Sequence, residues 1–237
     1  MPGTWKALYE SPTQGVWALI VLPALFLGWL AVRGHRPGGG VEPAAAGFVR
    51  RWAMVFALVA LVDPIVTGLL AWPLLPFVLL GDFRVFALVL AVMHPTRARA
   101  AVLLEAAAWT LVVPAFAYGT MRLVEAVAGA QAPTMLWIVY EVGFVVLADA
   151  LVVWLIPRRT GPDREPARRY VRAVLGFVVL YYSLWALADV LTLNGLDLGW
   201  ALRMVPNQLY YGLFVPFAYF RFFSTHAASS TSTQAAT

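Results

Sequence analysis

Cysteine is absent from the 237-residue chain, lysine occurs once, at Lys6, and histidine three times, at His35, His94 and His226. Without cysteine there is no disulfide framework, thiolate nucleophile, zinc–thiolate site or iron–sulfur cluster. The histidines fall outside the long apolar runs or at their ends, which argues against a membrane enzyme built on histidine-bound zinc or iron. Charge is scarce: 12 % of residues are charged and 62 % hydrophobic, against roughly a quarter and a half in a soluble domain. Too few polar residues remain to cover a globule in water. With a mean hydropathy of +0.77, the chain reads as an integral membrane protein, and its low charge excludes a disordered one. No phosphate-binding glycine loop and no nucleophile–histidine constellation is present. The site residues identified below call for no metal and no cofactor.

The net charge of +5 does not point to nucleic acid. Nearly all arginines lie in short connections between apolar runs, so no basic face exists to carry such a partner. A cleavable signal peptide is not expected either: only Lys6 precedes Gln14, and no small-residue cleavage site follows before Arg33.

A spanning helix needs about 20 mostly apolar residues. Seven such runs occur, at about 14–32, 52–72, 74–94, 100–121, 134–156, 171–193 and 205–223. The expected fold is therefore all-α, one polytopic bundle of seven transmembrane helices over residues 1–223, with a disordered cytoplasmic tail at 224–237. The third run is interrupted by Gly81-Asp82-Phe83-Arg84, and a six-span arrangement with 74–81 in the membrane interface is the alternative. Placing the N-terminus outside puts 13 of the 17 lysines and arginines on the cytoplasmic side, from Arg33, Arg36, Arg50 and Arg51 to Arg221. Only Lys6, Arg122 and Arg203 lie outside, and Arg84 lies within the bilayer. The positive-inside rule then predicts N-out, C-in, in the cytoplasmic membrane of a bacterium. The loop Gly34–Ala46 and the connection Pro157–Arg169 are expected to be flexible. A faint echo between Leu61-Val62-Asp63 through Trp72 and Leu187-Ala188-Asp189 through Trp200 allows a duplication of spans 1–3 and 5–7.

The informative feature is acid within the predicted spans: Asp63, Asp82, Glu105, Glu141, Asp149 and Asp189. Each charged group near the bilayer centre costs on the order of 2.5–3.5 kcal/mol, so this number calls for partners or a role. By depth, Asp63, Asp82, Glu141 and Asp189 are expected to meet in one cavity open to the outside. Glu105 and Asp149 lie nearer the cytoplasm, Glu105 within reach of Arg97 or Arg99. Asp82 and Arg84, two residues apart, sit on different helix faces, which directs Arg84 to a neighbouring span. A carboxyl without a counter-charge in low dielectric favours its neutral form and is then a proton donor. These four are the candidate catalytic residues. Rings accompany them. Tyr182, Trp185 and Asp189 share one helical face, Tyr140 adjoins Glu141, and Tyr210 and Tyr211 follow Asn207. A ring face stabilises a cation by roughly 0.5–2 kcal/mol, so Tyr140, Tyr182, Trp185, Tyr210, Tyr211 and Asn207 are the candidate substrate-binding residues.

The seven-span plan is similar to that of microbial rhodopsins, but the last span has no lysine for a retinal Schiff base. Two other families share more. Asp63 in Leu61-Val62-Asp63-Pro64 resembles the span 2 acid of the membrane-integral terpene cyclases of meroterpenoid pathways, where that acid is Glu. Asp63 with Trp72 nine positions on resembles the small membrane lycopene cyclases. Where these families carry acids in the last span, this chain has Pro206-Asn207-Gln208. The resemblance implies a metal-free enzyme that protonates an isoprenoid to start ring closure. Three readings follow: a cofactor-independent, acid-initiated cyclase or isomerase of an isoprenoid or lipid; a transporter of protons or a small cation; or a receptor-like or assembly subunit without chemistry.

Overall fold

The computed structural model describes residues 3–33, 43–70, 72–159 and 164–234; most of the Gly34–Ala46 loop, the middle of the Pro157–Arg169 connection and 235–237 lie outside the described residues. Among these residues every regular element is helical. A short α1 (Thr4–Tyr9) leads through a π turn at Thr13–Trp17 into α2 (Ala18–Arg33), followed by α3 (Pro43–Leu69), α4 (Leu75–Met93) and α5 (Arg99–Ala128). Then come α6 (Pro133–Ala150), a π turn at Leu151–Leu155, a short α7 (Ile156–Arg159), α8 (Glu165–Leu193) and α9 (Leu198–Asn207). A third π turn at Gln208–Leu213 joins α9 to α10 (Phe214–Gln234).

Six helices are long and apolar enough to cross a membrane, covering Thr13–Val32, Ala44–Leu69, Leu75–Met93, Arg99–Ala128, Pro133–Arg159 and Glu165–Leu193. Their outward faces are apolar, with Leu104, Leu111, Phe116, Val146 and Val153 exposed. Such a surface is tolerable in lipid and costly in water, as expected of a membrane-embedded bundle. The run at 205–223 is helical but is not among the six, because Asn207, Gln208, its tyrosines and Arg221 dilute its apolar character. It is nonetheless deeply packed: Phe214, Ala218, Tyr219 and Phe222 are fully buried. Helix α10 extends past Ser224 to Gln234, continuing through the Ala227-Ala228 pair, and alanine is the strongest helix former.

The run interrupted by Gly81-Asp82-Phe83-Arg84 is one unbroken helix, α4. It is the central element, buried on every side from Val85 to Met93, which is why its sequence is apolar all round rather than striped. Helix α8 packs against α4, α6, α9 and α10. The turn after α8 is made by Gly195, whose φ of 75° is open to glycine and strained for most residues. It folds α9 back on α8 so closely that a Cβ at Gly199 would sit 2.7 Å from the Ala188 carbonyl oxygen. That turn determines which side chain meets Asp189.

Candidate functional site

The two ends of the bundle differ chemically. At one end Glu105 accepts hydrogen bonds from Arg97 and Arg159, and Trp109 donates to it at 3.4 Å. Arg164 donates to the Met93 carbonyl at 2.6 Å, closing the C-terminus of α4. Glu105 thus meets Arg97 as its spacing implied, together with Arg159 from a distant helix, while Arg99 lies over the Phe48 ring. Asp149 is exposed on the bundle surface.

At the opposite end a cavity of about 470 Å³ lies between α1, α2, α4, α6, α8 and α9, within the range of small-molecule sites. Its walls are aromatic. From α6, Trp137, Tyr140 and Glu141 fall at helical spacing on one face, and from α8 so do Tyr182, Trp185 and Asp189. The π turn adds Tyr210 and Tyr211, and α9 adds Arg203 and Asn207. Tyr182 contacts Trp185 at 5.7 Å between centroids, Trp185 contacts Tyr210 at 5.1 Å, and Tyr210 contacts Tyr211 at 4.8 Å, giving one continuous wall of rings.

The acids separate into two layers. Glu141 and Asp189 reach the lining. Asp189, with 0 % exposure, faces Arg203: Nε lies 2.8 Å from one carboxylate oxygen, and Nη2 donates to the other at 3.2 Å. Glu141 is 5 % exposed, and its Oε2 is buried without a hydrogen-bond partner among the described residues. Asp82 and Asp63 lie one layer behind the lining. Asp82, fully buried, accepts hydrogen bonds from both Tyr140 and Tyr182. Asp63 sits within reach of Tyr211 and of the Thr67 hydroxyl, which donates at 3.3 Å. All six candidate binding residues, Tyr140, Tyr182, Trp185, Tyr210, Tyr211 and Asn207, line the cavity.

Arg84 reaches across to the last helix. Its guanidinium donates to the Tyr210 carbonyl at 2.8 Å and lies over the Tyr210 and Phe214 rings at 4.1 and 4.8 Å. The rings supply negative faces, and the π turn, with its widened ladder, exposes the carbonyl. Pro206 and Pro216, which lack N–H donors, flank that turn. Gly81 allows this approach, because a Cβ there would collide with the Tyr210 hydroxyl.

Three lining positions escape a sequence reading. Arg203 reads as an ordinary arginine at a helix end, and only the Gly195 turn brings it to Asp189. Tyr9 comes from the segment before the first span and Gly15 from the π turn that opens that span, yet both line the cavity. Helix α1 is held there by Asp197, whose carboxylate accepts from the Trp5 and Lys6 amides at 3.0 and 3.1 Å. The signal available in the sequence was Thr4–Tyr9 itself, short but helix-compatible and rich in rings.

Among the described residues no group of three His, Asp or Glu side chains converges as a metal centre requires. In comparison with known proteins, no family model, no curated protein and no solved structure matches this chain.

Proposed function

We propose that this protein is a cofactor-independent membrane enzyme that protonates an isoprenoid or a similar hydrophobic polyene and guides its cyclisation or isomerisation. One observation carries the reading: the unpartnered Glu141 Oε2, buried in a ring-lined cavity. Of the four acids, Asp189 is occupied by Arg203 and Asp82 by two phenols, and Asp63 lies behind the lining, so Glu141 is the proton donor. Its O–H proton passes to an alkene carbon, whose π pair forms the new C–H bond. The cation forms on the neighbouring carbon. A second alkene closes the ring by attacking that cation. Loss of a proton from an adjacent carbon, back to the Glu141 carboxylate, completes an isomerisation without net redox change. Rings of Trp137, Trp185 and Tyr210 stabilise the intermediate cation, and the carboxylate left on Glu141 by the proton transfer faces it.

The protein works in this reading as a seven-pass bundle, N-terminus out, in a bacterial cytoplasmic membrane. Support for the orientation comes from the cations along the sequence, 13 arginines in the connections read as cytoplasmic against Lys6, Arg122 and Arg203 in those read as external. The α9–α10 segment acts as the seventh pass, and the cavity then opens on the outer side. The interior around Phe86 and Phe144, between the cavity and the arginine-rich end, leaves no room for a water molecule, which favours an enzyme over a conduit.

The test is incubation of the protein in nanodiscs with linear polyprenes in D₂O. The expected product is an isomer carrying one deuterium at the initiating carbon, lost in Glu141→Gln. Unchanged substrates, with Glu141-dependent proton uptake into proteoliposomes instead, would overturn the proposal in favour of a transporter.

A further inference from the structure

The hydrogen atoms around the cavity are distributed unevenly. Tyr140 and Tyr182 both point their hydroxyl hydrogens at Asp82, which as a carboxylate only accepts. The oxygens of these two phenols therefore have only lone pairs left to offer the cavity. Trp185 spends its N–H on Asn207 at 2.8 Å. Asn207 in turn donates to the Tyr9 hydroxyl at 3.4 Å, and Arg203 is spent on Asp189. Glu141 Oε2 is a further acceptor, buried and unpartnered. The lining thus carries two carboxylates against one guanidinium; the Arg203, Trp185, Tyr140 and Tyr182 donors are engaged within the protein, while the Trp137 N–H and the Tyr9 hydroxyl hydrogen have no acceptor among the described residues. Such a wall lacks one thing: a cation that brings its own N–H groups.

We infer that the cavity is a binding site for a hydrophobic amine in its N–H-bearing ammonium form, paired with Glu141 and enclosed by the aromatic wall, with Asp82 acting as the positioning residue that holds Tyr140 and Tyr182 as acceptors. This goes beyond the proposed function: it assigns the same cavity a second ligand class, and in the amine complex the proton that would start a carbocation resides on nitrogen. The rings alone would accept any cation of low hydration. The acceptors distinguish among cations, since a quaternary ammonium presents no N–H to Glu141 or to the phenol oxygens. Asp82 contributes without touching the ligand. An amide in its place can donate to one tyrosine, which frees that phenol's hydrogen to turn into the cavity and face the ammonium with the wrong sign.

Two sources carry such an ammonium, a free amine and the headgroup of phosphatidylethanolamine, and the experiment separates them. Binding of octylamine, octyltrimethylammonium and octanol to the protein in phosphatidylcholine nanodiscs is followed by tryptophan fluorescence and by calorimetry. Octylamine is expected to bind at least about tenfold more tightly than octanol, equivalent to about 1.4 kcal/mol, and more tightly than the quaternary ion. Glu141→Gln removes the preference over octanol. Asp82→Asn narrows the gap between the primary and quaternary amines while octanol binding stays unchanged, a readout that general loosening of the fold would not produce. If Asp82→Asn does not fold, Glu141→Gln and the quaternary comparison still decide. Phosphatidylethanolamine in the nanodisc competes with octylamine if the headgroup is the natural source, and does not if the source is a free amine. Octanol binding as well as octylamine, or a preference indifferent to Glu141, overturns the inference. Polyprene turnover without amine binding also overturns it and leaves the enzyme reading standing. Amine binding of the expected pattern without any polyprene product does the reverse.

Discussion

Replacing Arg203 with methionine isolates the electrostatics of the cavity. Asp189 has no exposure, whereas the Arg203 side chain keeps 21 %, so the two partners do not lose equally when the other is removed. Arg203→Met strands a carboxylate that water does not reach, with Glu141 beside it. Breaking a buried pair from one side costs about 3–5 kcal/mol; because solvent reaches Arg203, about 2–3 kcal/mol is expected. Asp189→Asn instead leaves a partly wetted cation that can turn toward the cavity mouth or toward the Tyr9 and Trp200 rings, 5.7 and 5.6 Å away. Its cost is about 1 kcal/mol. Methionine preserves most of the arginine stem's packing, so the difference reports charge rather than volume. Thermal unfolding in detergent, followed by tryptophan fluorescence, reads these as shifts of about 2–4 °C per kcal/mol for a chain of this size. The double variant should recover much of the Arg203→Met loss, giving a coupling of about 1–2 kcal/mol. Equal costs, the reverse order, or strict additivity would refute the idea that Asp189 depends on Arg203 for its burial.

Two further outcomes follow from other parts of the bundle. Gly81→Ala places a methyl against the Tyr210 hydroxyl and should cost about 1–3 kcal/mol by overpacking, visible as a lower melting temperature. Adding Tyr210→Phe removes the colliding oxygen and should restore part of the loss; no rescue would mean that the close approach lies elsewhere. At the arginine-rich end, His94 is held below its ordinary value of 6.5 by burial and then by Arg159, with Arg97 and Arg164 adding to the effect and Glu105 opposing it. Its Nε2 is buried without a hydrogen-bond partner among the described residues. The unfolded chain takes up that proton more readily than the folded one, so the stabilisation is complete above about pH 6.5 and is lost as the pH falls below it. The melting temperature should therefore decline from about pH 7 to about pH 5, and less steeply in His94→Asn. An unchanged slope in the variant would assign the acid sensitivity to other groups.

The membrane-embedded helical character of this protein was legible in one dimension. Run length, the scarcity of charge and the clustering of arginine are local quantities, set by the thickness of a bilayer and the expense of dehydrating a charge, and they need no neighbour to be read. The same is true of the candidate rings: Tyr140, Tyr182, Trp185, Tyr210 and Tyr211 stand beside acids at helical spacing, and spacing alone puts them on shared faces.

The rotation of each helix about its axis is a different kind of information, because it depends on which neighbours a face meets. Asp63, Asp82, Glu141 and Asp189 look alike as acids in apolar runs. Packing alone leaves Glu141 open to the cavity, gives Asp189 to Arg203 through the Gly195 turn, and places Asp82 behind two phenols. The interruption at Gly81-Asp82-Phe83-Arg84 reads as a break because its partners are far away in sequence. In three dimensions the rings of Tyr210 and Phe214 and a π-turn carbonyl take up the charge, and the helix runs on. The surroundings of Arg84 are contributed by residues more than a hundred positions distant, and no local pattern encodes them.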